Sequence, residues 1–195
     1  KRLELGPPRE GEHFVFANTG KEREETLVFL HEIETRWDVP LVWLQRTPGG
    51  GVEATSFASA ARVGEPFVQL IEERSYLPNV MARFCTVELK VRTISRFMRL
   101  MGFTEWLQLI GLRADEPRRV TNVKNTGREA GDEADCPLFD VGVTVDDVAE
   151  FWARQPFDLK LRSWEGNCDL CFLKGQVKLL RIIAESPTRA DWWRE

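Results

Sequence analysis

The stretch His13-Phe14-Val15-Phe16-Ala17-Asn18-Thr19-Gly20 decides the fold. Its short apolar run, closed by a turn signal, reads as a buried strand that ends in a loop. Downstream, Glu24 to Trp37 has helical spacing, with Leu27, Leu30, Ile33 and Trp37 on or near one face. The acidic residues Glu22, Glu24 and Glu25 suit the positive end of that helix. Leu41-Val42-Trp43-Leu44 then reads as a second strand. Strand, helix and strand in so short a span make a βαβ unit, which requires a parallel pair and a right-handed crossover. The expected fold class is α/β, a parallel twisted sheet flanked by helices.

Outward from this unit the signals are mixed. Thr47 to Phe67 holds Pro48-Gly49-Gly50-Gly51 and many small residues, and reads as a flexible excursion: a lid or a plain surface loop. Thr86 to Met101 reads as a helix with Leu89, Ile94, Phe97 and Met101 inward. Trp106 to Gly111 reads as a strand, followed by the loop Leu112 to Arg119. Asn122 to Asp135 is polar and reads as mobile. Thr144 with Asp147 makes a capping-box start for a helix. Lys174 to Glu185 is amphipathic and stops at Ser186-Pro187.

The 195 residues suit a single domain, with 160–195 as a C-terminal Cys-x-x-Cys and helical segment. A chain of this size buries about 70% of its unfolded surface and needs no disulfide staples. Net charge is −4 with no basic block, so a broad nucleic-acid footprint is not indicated. No apolar run has the length of a membrane span and no signal peptide is visible, which points to a cytoplasmic protein. Lys1 to Pro8 reads as the last turn of a helix with Gly and Pro stop signals, and Asp191-Trp192-Trp193-Arg194-Glu195 is apolar enough to pack on further structure or on a partner. Both ends are expected to continue, and a homo-oligomer or larger assembly is an open expectation.

The chemistry-bearing residues are cysteines and arginines. Cys168 and Cys171 form a Cys-x-x-Cys, and Cys85 lies far upstream in Arg83-Phe84-Cys85-Thr86-Val87-Glu88-Leu89-Lys90. In a cytosol-like chain such a pair clamps a metal or cluster, or does redox work. Ligands of parallel α/β sheets sit beyond the carboxyl ends of the strands. Asn18-Thr19-Gly20 occupies such a position and offers a hydroxyl and backbone N–H groups that suit a nucleotide. Arg113, Arg118 and Arg119 occupy another, and guanidinium forks suit sulfate or phosphate. Plain solvated charge is the alternative for these arginines.

Taken in order, these segments resemble the phosphoadenosine phosphosulfate (PAPS) reductase family, of phage and prophage type. Phe16-Ala17-Asn18-Thr19-Gly20-Lys21-Glu22-Arg23-Glu24-Glu25-Thr26 resembles that family's strand, Asp-Thr-Gly turn and Pro-Glu-Thr helix start. Cys85 to Lys90 resembles its Cys-Cys segment, Gly111-Leu112-Arg113 to Arg118 its Gly-Ile-Arg segment, and Cys168/Cys171 its downstream cluster half-site. The chain departs from the pattern in four places. Asn18 stands for Asp, Thr86 for the second Cys, and neither a Ser-Gly-Gly-x-x-Ser phosphate loop (the PP-loop) nor the reductases' C-terminal cysteine nucleophile occurs in these residues.

The resemblance implies an adenine nucleotide α-hydrolase-like fold and an adenine nucleotide, ATP or PAPS, as substrate. Asn18, Thr19 and Gly20 would contact the nucleotide, and Lys90, Arg113, Arg118 and Arg119 its anionic groups. It implies sulfur transfer or sulfonucleotide reduction. ATP-dependent thiolation of a nucleic acid and a non-catalytic subunit of a phage-type assembly are the alternatives. A [4Fe–4S] cluster takes four thiolates. Cys85, Cys168 and Cys171 supply three, and Cys136 is a possible fourth or else a small buried apolar residue. Zinc is the rival metal, and free or redox-active thiols are the third option. Trp164, beside the pair, could shield a cluster from water.

Overall fold

Strand β2 is the centre of the architecture in a computed structural model of the chain, which describes residues 10–125 and 132–194. The elements run β1 (Phe14–Asn18), α1 (Glu24–Arg36), β2 (Leu41–Arg46), β3 (Val52–Thr55), α2 (Glu65–Arg74), α3 (Phe84–Thr86), a π-wound stretch (Val87–Val91), α4 (Arg92–Leu100), β4 (Trp106–Leu109), α5 (Pro117–Asn125), β5 (Asp132–Asp135), α6 (Pro137–Asp140), α7 (Val145–Ala153), α8 (Gln176–Glu185) and a 3₁₀ segment (Pro187–Trp193). They fall into two compact units. One takes in the residues up to Ile94 together with those from Leu159 onward; the other is Ser95–Asp158. The helix end expected over Lys1 to Pro8 lies outside the described residues.

In the first unit β1 and β2 pair in parallel, from Phe14 opposite Leu41 to Asn18 opposite Gln45, with α1 between them in sequence. The expected βαβ unit is therefore present. Successive residues of a strand point to opposite faces. Trp43 and Leu44 are both buried, at 2% and 0% exposure, so both faces of β2 are dry. Trp43 packs with Leu27 and Ala60, its ring edge-on to Phe16 at 5.1 Å. The Val87–Val91 stretch lies against β1 and β2 and buries Leu89 completely.

Two expectations change here. The sheet is mixed, because β3 pairs antiparallel to β2, from Trp43 opposite Thr55 to Arg46 opposite Val52. The Pro-Gly-Gly-Gly run is the turn of this hairpin, closed by Thr47 N–H donating to Gly51 O at 3.1 Å. Much of Thr47 to Phe67 is thus ordered strand and turn. The helix read as Thr86 to Met101 also begins earlier, at Phe84, and winds as a π-helix over Val87–Val91. A π-turn holds extra residues and shifts the phase of everything after it. Met98 is buried in place of Met101, which follows the helix end at 53% exposure.

In the second unit β4 and β5 pair in parallel, Trp106 opposite Asp132, with α5 between them in sequence. Leu112, Val120 and Cys136 form its core with Ile110, Val123 and Phe139 against them. Asn122 to Asp135, read as mobile, contains the end of α5 and all of β5; residues 126–131 of it lie outside the described residues. The capping box of Thr144 and Asp147 is present as expected. No helix of the described residues is long and apolar enough to cross a membrane.

Leu44→Ala should cost about 2–5 kcal/mol, the usual range for a fully buried leucine. Urea unfolding followed by circular dichroism measures it, and a loss well under 1 kcal/mol would contradict the central place given to β2.

Candidate functional site

The Cys-x-x-Cys loop is attached to the loop after β1 by two backbone hydrogen bonds. Arg23 N–H donates to Asn167 O at 2.7 Å, and Asp169 N–H donates to Lys21 O at 2.7 Å. These bonds flank an antiparallel bridge between Glu22 and Cys168. In such a pair the two flanked residues face each other without bonding, and their side chains leave on the same side, about 4.5–5.5 Å apart at Cβ. Charged side chains reinforce the attachment. Arg189 pairs with Asp169 and, at 3.3 Å, with Glu165; Arg23 reaches Glu165 at 3.3 Å. Lys174 Nζ donates to Cys168 O at 2.9 Å.

The Asn18-Thr19-Gly20 loop satisfies itself. Glu22 Oε2 accepts from both Thr19 N–H and Thr19 Oγ1–H at 2.8 Å. Asn18 Oδ1 accepts from Gly20 N–H at 3.1 Å, and Asn18 Nδ2 donates to Ala61 O at 2.9 Å. The donors that suit a nucleotide are thus engaged within the loop, and Asn18 and Thr19 are buried. Gly20 has φ +77°, and a Cβ there would sit 3.0 Å from Gly64 Cα. Gly64 has φ +91°, and a Cβ on it would meet the Trp192 ring at 2.7 Å. Trp192 is held in place by its Nε1–H donating to Val63 O at 2.8 Å. Its ring lies 3.9 Å from Lys21 Nζ, a cation–π contact to a buried ammonium. Burial lowers the pKa of Lys21, while the nearby Asp169 and Cys168 oppose that shift.

All four cysteines are free thiols. Three of them, Cys85, Cys168 and Cys171, belong to the first unit, where Cys171 acts electrostatically on each of the other two. Cys168 Sγ donates to Asp169 O at 4.0 Å. The neighbouring Cys171, together with burial, holds the Cys168 thiol far above the usual range. Cys168 in turn pulls Cys171 down to about 6, aided by Lys174 and Arg83. Burial raises Cys85, and the charge of Cys171 adds to the rise. Lys90 also acts on Cys168 and pairs with Glu22 Oε1 at 3.2 Å. Three thiols ringed by Arg83, Lys90 and Lys174 make a donor set suited in type to a soft metal or an iron–sulfur cluster, whose thiolates need counter-charge. Among the described residues, no three His, Cys, Asp or Glu side chains already converge as a metal-binding group.

Arg113, Arg118, Arg119 and Cys136 lie in the second unit. Arg113 is held by Asp115, its Nε donating at 3.1 Å, and Arg119 by Glu116. Arg118 is exposed. Cys136 is fully buried with Leu112 and Val120, in the surroundings expected of a small buried apolar residue. Trp164 stacks on Arg181, whose guanidinium carbon is 3.4 Å from the ring centroid, and so serves α8. Sequence reasoning missed Arg83, Lys174, Gly64 and the buried role of Glu22. The acidic run before α1 suggested only a helix-end charge for Glu22, yet α1 starts at Glu24 and Glu22 belongs to the preceding loop.

One curated relative is the "Uncharacterized nin region protein ORF290" of Escherichia phage lambda, 30% identical over 180 residues. The match takes in 86% of this chain and 58% of the relative, so the chain spans well under two thirds of that protein's length. Its phage origin agrees with the phage type named from the sequence. No family model matches the chain, and no solved structure matches it.

Gly64→Ala should lower stability by about 1–3 kcal/mol through strain at positive φ and the clash with Trp192. It should also speed hydrogen exchange at the amides of Thr19 and Gly20. Unchanged exchange there would contradict the seating of Trp192 over this loop.

Proposed function

We propose that this chain carries the cysteine-bearing part of a PAPS reductase-like, adenine-nucleotide-binding protein that acts in sulfur transfer or sulfonucleotide reduction. The observation that supports the reading is the bridge of Glu22 with Cys168, which sets the Cys-x-x-Cys loop beside the loop that follows parallel β1, the end where α/β sheets place ligands. Cys85, Cys168 and Cys171 would hold a [4Fe–4S] cluster, and Arg83, Lys90 and Lys174 would balance its negative charge. When bound, such a cluster supplies iron able to hold a sulfur atom or pass an electron. The proposed fold is the adenine nucleotide α-hydrolase-like one, with Asn18, Thr19 and Gly20 next to the nucleotide. For Thr19 Oγ1 and Gly20 N–H to serve a phosphate, they must leave Glu22 and Asn18, so nucleotide binding should rearrange this loop. Thiolation of a nucleic acid uses the same cysteine set and differs in the acceptor of the sulfur.

A second reading, a redox-active dithiol, is favoured by the Cys-x-x-Cys spacing of Cys168 and Cys171 and by the lowered pKa of Cys171. Exchange with an external disulfide would form the S–S bond of that pair, pass two electrons to the external disulfide and release it as two thiols.

Anaerobic purification with iron, sulfide and zinc analysis separates these readings. A brown protein is expected, with visible charge-transfer absorbance and equal iron and sulfide. Cys168→Ser should cut bound iron roughly 10-fold or more, at least as much as loss of a supporting residue does. A colourless protein with zinc at one per chain would make the site structural. A metal-free protein that forms a Cys168–Cys171 disulfide reversibly would favour the dithiol and overturn the cluster.

A further inference from the structure

Lys21 is a buried cation whose closest partners are aromatic. It follows Asn18-Thr19-Gly20 directly, beyond the carboxyl end of β1, and is 7% exposed. Among the described residues its ammonium makes no ion pair and no hydrogen bond; it faces the Trp192 ring at 3.9 Å and the Trp193 ring at 5.9 Å. Asp169, the carboxylate that acts on it electrostatically, is engaged by Arg189 and, at 3.8 Å, by Arg23. A buried ammonium is costly unless it is paired and hydrogen-bonded, and a ring offsets only part of that cost. Such a donor, at the strand end where α/β sheets place ligands, calls for an acceptor from outside the chain.

A second donor in the same cluster lacks an acceptor. Trp193 Nε1 is buried and, among the described residues, donates to nothing. Trp192 is the cover over Lys21. Its Nε1–H donates to Val63 O at 2.8 Å, and its ring stands edge-on to Phe67 at 5.6 Å and to Trp193 at 4.7 Å. The cover is therefore one ring of the 3₁₀ segment Pro187–Trp193, joined to the loop before α2 by one hydrogen bond. Gly64 leaves the ring its room, since a Cβ there would meet it at 2.7 Å.

We propose that Lys21 is an anion-binding residue of the first unit, held closed by Trp192. A phosphate or sulfonate oxyanion takes the ammonium from the ring, Trp192 turns aside, and Trp193 Nε1–H is the second donor at hand. Lysine ammonium is a common point-charge partner of phosphate. The oxyanion belongs to an adenine nucleotide, and in that respect the proposal rests on the nucleotide reading above. Lys21 then serves the ligand from the same loop as Asn18, Thr19 and Gly20.

Isothermal titration calorimetry tests this with ATP, inorganic pyrophosphate and adenosine, on wild type, Lys21→Met, Lys21→Arg and Trp192→Leu. Lys21→Met should weaken ATP and pyrophosphate about 10-fold or more, the loss of a charged hydrogen bond, and Lys21→Arg should weaken them less. Trp192→Leu should tighten both about 2- to 30-fold, the strength of the cation–π contact it removes. Adenosine, which lacks the oxyanion, should not distinguish Lys21→Met from wild type. Thermal unfolding adds a readout that a packing role would move the other way: Lys21→Met should keep or raise the midpoint, because a buried charge is gone. If Lys21→Met binds ATP and pyrophosphate as wild type does, Lys21 only packs against the rings and the proposal fails, while the nucleotide reading stands. If pyrophosphate binds through Lys21 and ATP does not bind, the anion site stands and the nucleotide reading falls. If Trp192→Leu binds no tighter than wild type, Trp192 is no cover. Absence of binding to both wild type and Trp192→Leu overturns the site altogether.

Discussion

Two backbone hydrogen bonds, Arg23 to Asn167 and Asp169 to Lys21, hold the site together. They join segments that are remote in the chain, and so they bear a loop-closure cost that local contacts do not. Everything chemical in the first unit hangs on that bridge. It brings Cys168 to the carboxyl end of β1, sets Glu22 beside it, and leaves Lys21 to be covered by Trp192. The acidic residues Glu165 and Asp169, clamped by Arg23 and Arg189, stiffen the same junction from the side.

The polar accounting around the bridge is tight and unequal. Asn18, Thr19 and Gly20 use their donors on one another and on Glu22, so the loop is rigid without help from a ligand. The close approach of Gly20 to Gly64, and of Gly64 to Trp192, adds steric constraint. Glu22 Oε1 accepts no hydrogen bond and is ion-paired to Lys90 Nζ at 3.2 Å.

Much of this was legible in the sequence. The βαβ unit came from periodicity, because Leu27 and its neighbours recur at helical spacing between two apolar runs. The capping box at Thr144 was legible because its two partners are three residues apart. Strand β3 was hidden, since Val52-Glu53-Ala54-Thr55 is short and follows glycines that read as loop. The π-turn at Val87–Val91 has no sequence signature, and it displaced the inward face from Met101 to Met98. Of the site, the Cys-x-x-Cys announced itself by spacing, while Cys85 joined it only through family resemblance. Glu22 was invisible because its burial depends on a bridge to residue 168, which no local pattern encodes. The alternatives for Cys136 differed only in its surroundings, and these are apolar.

The central claim is that Cys85 meets the Cys168/Cys171 pair. A short bifunctional thiol reagent, dibromobimane, applied to the reduced, metal-free chain tests it, with the joined peptides read by mass spectrometry. Bridging of Cys85 to Cys168 or Cys171, and none to Cys136, is the result predicted. Bridging confined to Cys168 and Cys171, with Cys85 modified singly, would contradict it.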